Sequence, residues 1–332
     1  MRVLSETDHI NIVRHTMAKI TEYTFTSKDD RHTKIHAIKW EPENGQVVAV
    51  LQLVHGMQEY IERYSEFAEY LTERGFAVYG HDHIGHGRSV ADVSERGKMF
   101  CENPDNVMIK DMYTNYGIIK KEYPQKPYFI LGHSMGSYLL RKYLSVKSSA
   151  LTNVNGAIIM GTGSESSLAI TFGLMLCQAL MAVNGRDVPS DFIHGIMFGK
   201  SYEGSDESGD AVSNSWLSKN ADNVREFFAY DGGKFSLNGY MVLLRSTLFD
   251  NKMKNIRRMN LDMPVIFVSG DQDPVGGMGE GVKRAYEQFK AAGVKDLSIK
   301  LYEGDRHEIL NELDRDKVYA DLYEWMMKRI DK

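Results

Sequence analysis

The sequence predicts an α/β protein with a mostly parallel central sheet, flanking helices and an inserted helical cap. Six short apolar runs are separated by segments with helical periodicity, and one long interval breaks this alternation. The runs are VVAVLQLVHG (47–56), FAVYGHD (76–82), YFILGHS (128–134), GAIIMGTG (156–163), PVIFVSG (264–270) and LSIKLYEG (297–304). They are almost continuously apolar rather than alternating, so we expect helices to cover both faces of the sheet.

Helical periodicity fills the gaps between most of these runs. We predict helices over SEFAEYLTER (65–74), the stretch 135–147, GVKRAYEQFKAAG (281–293) and DKVYADLYEWMMKRI (316–330). Gly75 follows the first of them directly, which is typical of a residue just past a helix end.

The interval from residue 164 to residue 255 contains no convincing buried strand. It is too long for an unstructured loop inside a compact domain. We therefore predict a helical cap over 164–255, seated above the carboxyl edge of the sheet, where such folds place their sites. The two parts of the core are then 1–163 and 256–332.

Composition indicates a globular protein, with 42% hydrophobic and 26% charged residues. A net charge of −5 gives no reason to expect nucleic acid as a partner. Cys101 and Cys177 lack CxxC or metal-type spacing, so two free thiols in a reducing compartment are favoured over one disulfide. The first 16 residues lack an apolar stretch of signal-peptide length, and we predict a cytoplasmic protein.

One segment, LAITFGLMLCQALMAV (168–183), approaches the composition of a membrane span. It is slightly short and contains Thr171, Gly173 and Gln178, so a buried or interfacial helix is favoured. It is apolar over more than one helical face. We expect Leu174 and Met175 to line a channel for an acyl chain, because methionine conforms to flexible ligands. Transient contact of the cap with a membrane or micelle is a further expectation.

The pentapeptide Gly132-His133-Ser134-Met135-Gly136 fits the G-x-S-x-G turn that exposes a nucleophilic serine between a strand and a helix. Both flanks are present here, a predicted strand before it and a predicted helix after it. The turn is strained and tolerates only small neighbours, which explains the two glycines. The amide of Met135 then lies at a helix N-terminus, available to stabilise an oxyanion. The alternative is a glycine-rich turn whose serine only caps the helix.

A second oxyanion donor is expected in the loop after an earlier strand. His55-Gly56-Met57 ends the strand at 47–54, and this loop supplies the amide of Met57. We also expect His55 to contact the substrate.

A serine nucleophile needs an acid and then a histidine later in the chain. Asp271 and Asp273 both follow the strand at 264–270, and the residues alone do not choose between them. His307 follows the last predicted strand, in the correct order to act as base. A competing interpretation of the chain's histidines is a zinc site at His81, His83 and His86, but the carboxylate and cysteine ligands of a closed site are not clustered nearby. We predict no metal and no cofactor.

Five ordered motifs resemble those of the monoacylglycerol lipase/lysophospholipase group of α/β-hydrolases. They are HGMQEYIERY (55–64), DHIGHGRS (82–89), GHSMG (132–136), GDQDPVG (270–276) and YEGDRHEILNE (302–312). SWLSKNADNVREFF (215–228) is similar to the bacterial members of the group. The resemblance covers residues 25–330 and implies Ser134, Asp273 and His307 as the triad, with backbone amides from Met57 and Met135.

Two departures from the family pattern lie where substrates are selected. Tyr60 replaces the usual histidine after Glu59, and YDGGKFSLNGY (230–240) lacks the usual proline and cysteine.

Three functions remain open at this point. The first is hydrolysis of the ester of a single-acyl-chain lipid, a monoacylglycerol or lysophospholipid, through an acyl-enzyme. The second is a general carboxylesterase, or an amidase or peptidase with the same triad, because ester and amide cleavage share this machinery. The third is a ligand-binding protein that kept the fold without turnover. The expected partner is a small ester or lipid substrate, and the oligomeric state is undetermined.

Overall fold

The computed structural model describes residues 18–199 and 215–330. Eight strands form one sheet in this part of the chain, in the order β1-β2-β4-β3-β5-β6-β7-β8. The strands are β1 Ala18–Thr26, β2 Lys34–Pro42, β3 Ala49–Val54, β4 Phe76–His81, β5 Tyr128–His133, β6 Gly156–Met160, β7 Val265–Gly270 and β8 Leu297–Tyr302. The pairings β1–β2 and β2–β4 are antiparallel, and all the others are parallel. The prediction of a mostly parallel sheet is confirmed.

Ten α-helices accompany the sheet in the described residues. They are α1 Ser65–Thr72, α2 Pro104–Glu122, α3 Met135–Val146, α4 Ser167–Asn184, α5 Asp191–Phe198, α6 Ala221–Ala229, α7 Leu237–Asp250, α8 Met253–Ile256, α9 Glu280–Ala292 and α10 Arg315–Met327. The four helices predicted from periodicity correspond to α1, α3, α9 and α10. Gly75 has φ +84°, a left-handed conformation suited to glycine just past a helix.

The central strands are apolar throughout because both faces of the sheet are covered. In β5, Ile130 packs into one buried cluster with Leu139 of α3, and its neighbour Phe129 packs into the opposite cluster with Phe67 of α1. Side chains alternate between the two faces of a strand, so each strand serves two cores. This arrangement is the physical reason for the continuous apolar runs in the sequence.

The segment between β6 and β7 is helical in its described parts and contains α4 to α8. Residues 200–214 of the predicted cap lie outside the described residues. α7 contacts both α4 and the core helices α2 and α3. This segment therefore packs against the same side of the sheet as α3, the helix that follows Ser134.

Candidate active site

Ser134 occupies a strained turn between β5 and α3. Its φ of 51° and ψ of −123° are an unusual conformation for a residue other than glycine. A Cβ on Gly132 would lie 2.4 Å from the carbonyl oxygen of Gly136, and a Cβ on Gly136 would lie 2.2 Å from that of Val54. Both positions must be glycine for the turn to form, as the sequence predicts. The amide of Ser134 donates to the Met160 carbonyl at 3.0 Å, which ties the turn to β6.

Asp273 and His307 are in direct contact. The imidazole Nδ1 of His307 lies 3.0 Å from Oδ2 of Asp273, which also accepts from the Ser269 hydroxyl at 3.0 Å. The other oxygen, Oδ1, accepts from the Val275 amide at 2.8 Å. Burial alone raises the pKa of the Asp273 carboxyl, but the charge of His307 and these hydrogen bonds outweigh it and hold that pKa below its usual range. The carboxylate therefore stays ionised and accepts the Nδ1–H of His307.

Asp271 has a different task in the same turn. Its Oδ1 accepts hydrogen bonds from the Gly304 amide at 2.8 Å and from the Gln272 side chain at 3.1 Å. It closes the turn after β8 and does not contact His307. The sequence alone did not choose between these two carboxylates. In the structure, Asp273 contacts His307, and Asp271 binds the Gly304 amide.

Ser134 and His307 line one cavity of about 680 Å³. The His307 ring packs between the rings of His133 and Trp216, with centroid distances of 4.8 and 5.3 Å. Within the described residues, no hydrogen bond joins the Ser134 hydroxyl to the His307 ring in this conformation. Such contacts often tighten only when substrate is bound.

Of the two expected oxyanion donors, one residue borders the cavity and the other begins the helix after Ser134. Met57 lines the cavity, and Met135 is the first residue of α3, so its amide has no acceptor within the helix. Neither amide donates to another group in the described part of the chain.

Three residues expected to meet the substrate do not line the cavity. His55 is fully buried: its Nε2 accepts from the His83 amide at 2.9 Å, and its Nδ1 donates to the Gly56 carbonyl at 2.8 Å. The His55 ring connects the loop after β3 to the loop after β4 and does not reach the cavity.

The expected contacts of Leu174 and Met175 with an acyl chain are likewise absent from this geometry. Leu174 packs into the core, and Met175 is 64% exposed on the outer face of α4. Ile170, one turn before Leu174, is the α4 residue that lines the cavity. Leu174 lies on the same face of α4 as Ile170 but one turn farther along the helix, outside the cavity lining, and Met175 is turned ~100° from Leu174 onto the exposed side.

His81, His83 and His86 are buried, and their rings pack edge to face. Ring centroids of His81 and His83 lie 5.2 Å apart, and those of His83 and His86 lie 6.2 Å apart. Burial lowers the pKa of all three imidazoles, to about 3 for His81 and His86. In the described residues, no group of three or more His, Cys, Asp or Glu side chains is placed to hold a metal ion.

Sequence reasoning missed a buried acid–histidine pair beside the serine. His133 Nδ1 lies 3.1 Å from Glu59 Oε1, and its Nε2 lies 3.2 Å from the His307 carbonyl oxygen. Burial opposes charge on both groups, but their mutual hydrogen bond and attraction lower the pKa of Glu59 and raise that of His133. Glu59 also accepts from the Gly56 amide. The pair connects the loops that carry Met57, Ser134 and His307.

The family model described as "Serine aminopeptidase, S33" matches residues 45–314, most of the chain. The chain belongs to this family. It is 24% identical over 299 residues to the monoglyceride lipase of Rattus norvegicus, covering 88% of this chain and 86% of the relative. It is 27% identical over 301 residues to the monoacylglycerol lipase of Mycolicibacterium smegmatis, covering 88% and 92%.

Among solved structures, a thermostable carboxyl esterase from Bacillus coagulans in complex with glycerol superposes with a TM-score of 0.83. It is 25% identical, and the match covers 94% of this chain and 99% of the esterase. The fold is that of the α/β-hydrolases. These findings confirm the resemblance drawn from the five motifs and the predicted class of enzyme, a serine hydrolase.

Proposed function

We propose that this ester hydrolase cleaves single-acyl-chain lipids, monoacylglycerols or lysophospholipids, by forming an acyl-enzyme on Ser134. The observation that carries the proposal is the large, mainly apolar cavity that Ser134 and His307 share. A site of this volume suits a small organic ligand, and its apolar walls suit an acyl chain. The relatives named above, which act on monoacylglycerols by their names, support the same substrate class.

The reaction follows from the contacts at the site. His307 takes the Ser134 proton as the serine oxygen attacks the ester carbonyl, and Asp273 holds the imidazolium that forms. The amides of Met57 and Met135 stabilise the oxyanion. Collapse of the tetrahedral intermediate breaks the ester bond, and His307 gives its proton to the leaving alcohol. Water, activated by His307, then releases the fatty acid and restores Ser134.

The helical segment 164–255 acts as a cap between the core parts 1–163 and 256–332. Its described residues supply much of the apolar lining opposite Ser134. They are Ile170, Met197, Phe198, Trp216, Leu217, Phe227, Phe228, Leu243 and Leu244. The core supplies the polar and reactive residues of the lining, including Ser134 and His307. The acyl chain would therefore contact the cap, and the ester group would contact the core.

Substrate chain length tests this division of the cavity. Each additional buried methylene contributes up to about 0.8 kcal/mol, or roughly a fourfold rise in kcat/KM, until the cavity is filled. We expect kcat/KM to rise from acetyl to medium-chain p-nitrophenyl esters. Replacing Leu243→Ser, which puts a hydroxyl into the lining, should flatten that rise.

Leu168→Ser is the matched control, because Leu168 lies on α4 but is 86% exposed and outside the cavity lining. It should keep the parent's chain-length profile. An unchanged profile in Leu243→Ser would contradict an acyl site bordered by α7.

α4 also presents an apolar outer surface, which we assign to contact with lipid aggregates. Its 18 residues have a mean hydropathy of 1.6 and are long and apolar enough to cross a membrane. Its inner face, Ile170, Leu174 and Cys177, instead packs on the protein, which favours peripheral contact over a span. The large exposed apolar residues here and on α5 are Leu168, Phe172, Met175, Val183, Phe192 and Ile196. A cytoplasmic location fits this arrangement, and both cysteines are free and buried.

Vesicle binding tests the outer surface of α4 separately from catalysis. The double variant Phe172→Ser, Met175→Ser should co-sediment less with phosphatidylcholine vesicles and hydrolyse emulsified monoacylglycerol more slowly. Hydrolysis of a dissolved short-chain ester should stay at the parent rate, because neither side chain reaches the cavity. Ala169→Ser, on the same exposed helix, serves as control. Equal vesicle binding by the parent and the double variant would refute this assignment.

Peptide or amide hydrolysis is the second candidate, favoured by the family's description as serine aminopeptidases. The same triad would serve it, so only a comparison of substrates separates the two.

A further inference from the structure

The loop after β3, residues 56–60, contains a residue with positive φ, as the turn at Ser134 does. Gln58 has φ +57°. This conformation costs free energy in a residue other than glycine, so it persists only where contacts with the surrounding structure hold it. Its side-chain Nε2 donates a hydrogen bond to the Gly233 carbonyl at 2.7 Å. Gln58 is therefore fixed by a residue 175 positions further along the chain, on the segment between β6 and β7.

The segment 230–233 approaches this loop at backbone distance. A Cβ on Gly232 would lie 2.9 Å from the Gln58 carbonyl oxygen and 3.3 Å from the Gln58 Cβ. Gly233, with φ +69°, presses on the other side, where a Cβ would lie 2.2 Å from the Arg96 carbonyl oxygen. Two consecutive glycines let the segment fit between the 56–60 loop and the loop at 96, with no room for a side chain at either position.

Further contacts hold the segment in place. The Tyr230 ring packs against the Tyr60 ring, with centroids 4.4 Å apart, and its hydroxyl accepts from the Gly87 amide at 3.1 Å. The Arg96 guanidinium lies 4.8 Å from the centre of the Tyr230 ring and donates to the Asp231 carbonyl at 2.9 Å. The two stretches in which this chain departs from its family's pattern, at Tyr60 and at 230–240, thus contact each other.

We infer that Gln58 is a positioning residue, which directs the Met57 amide at the reacting carbonyl by anchoring the 56–60 loop to Gly233. The inference rests on the proposed function, because it needs Met57 as an oxyanion donor. The loop is pinned on both sides of Met57: the Gly56 amide donates to the Glu59 carboxylate, and Gln58 donates to Gly233. Without the second anchor, Gln58 relaxes toward negative φ and turns the adjoining peptide units. A displacement near 1 Å is enough to weaken an oxyanion contact severely.

Gln58→Glu and Gln58→Met test the anchor. Both keep the length of the side chain and remove the donor, and the glutamate adds repulsion against the Gly233 carbonyl. We expect kcat on a medium-chain p-nitrophenyl ester to fall about 10- to 100-fold, with KM changed less than about twofold. Affinity for an alkyl trifluoromethyl ketone, whose adduct with serine carries an oxyanion, should fall in parallel with kcat/KM.

Lys234→Ala is the matched control, since Lys234 follows the same segment, and within the described residues its side chain pairs with exposed Asp191 alone. It should behave as the parent, and thermal unfolding should show that every variant is folded at the assay temperature. Parent-like kcat in Gln58→Met, or a loss confined to KM, would overturn the inference while leaving the proposed function intact. A parent enzyme that neither reacts with a fluorophosphonate nor hydrolyses esters would instead overturn the proposed function.

Discussion

Ser134→Ala is expected to lower kcat about 10⁴-fold or more and to abolish labelling by a fluorophosphonate. The substitution removes a single oxygen from a residue whose amide, not its side chain, anchors the turn to Met160. The fold should therefore survive, because the strained φ of 51° is held by the two glycines and by this backbone bond. Initial rates on a p-nitrophenyl ester and circular dichroism of the same sample give the two readouts.

The control is Ser94→Ala. Ser94 is exposed and does not line the cavity, so this change removes a hydroxyl outside the site. It should retain both activity and labelling. Persistent labelling of Ser134→Ala would show that the reactive serine lies elsewhere. Parent enzyme that is never labelled would favour the ligand-binding alternative.

Asp273→Asn is expected to cost about as much as loss of the serine, in the region of 10⁴-fold in kcat. An amide at this position presents an N–H to His307 Nδ1, which favours the tautomer that carries its proton on Nε2 and so cannot accept from Ser134. It also removes the buried negative charge that stabilises the imidazolium during attack. The pKa of the Asp273 carboxyl lies below its usual range, so the parent holds this charge at every pH near neutrality.

Asp271→Asn is the matched comparison two residues away. The oxygen of an asparagine still accepts from the Gly304 amide, so we expect kcat within about tenfold of the parent. Rates of the two variants on one ester rank the carboxylates directly. If Asp271→Asn were the more damaging change, the assignment of the acid would be wrong.

Sequence reasoning succeeded where a residue's environment is set by its neighbours in the chain. The six predicted runs correspond to β3 to β8. The strands β3 to β7 are buried at every position, so their sequences are almost continuously apolar. It missed β1 and β2. In β1 no residue is fully buried, and exposed and half-buried positions intermix, so no apolar run marks this edge strand. The helix α2 also went unpredicted, although ten of its residues are buried.

At the candidate site, chain order and turn chemistry indicated Ser134 and His307, and the family resemblance implied Asp273, which the structure brings into contact with His307. An apolar stretch without a polar face does not indicate which residues of α4 border the cavity. The cavity is bordered by Ile170 and not by Leu174 or Met175, which lie four and five positions further along the helix. The anchor between Gln58 and Gly233 joins residues far apart in sequence, and no local periodicity reports such a contact.

The substrate panel tests the central claim most directly. kcat/KM should be measured for the parent on monodecanoylglycerol, monoacetylglycerol and alanine p-nitroanilide under one set of conditions. The proposed function predicts the highest value for monodecanoylglycerol, because only this substrate fills the apolar wall opposite Ser134. A higher value for the anilide would identify a peptidase, and a higher value for the acetyl ester would identify a general esterase; either result would contradict a lipid hydrolase.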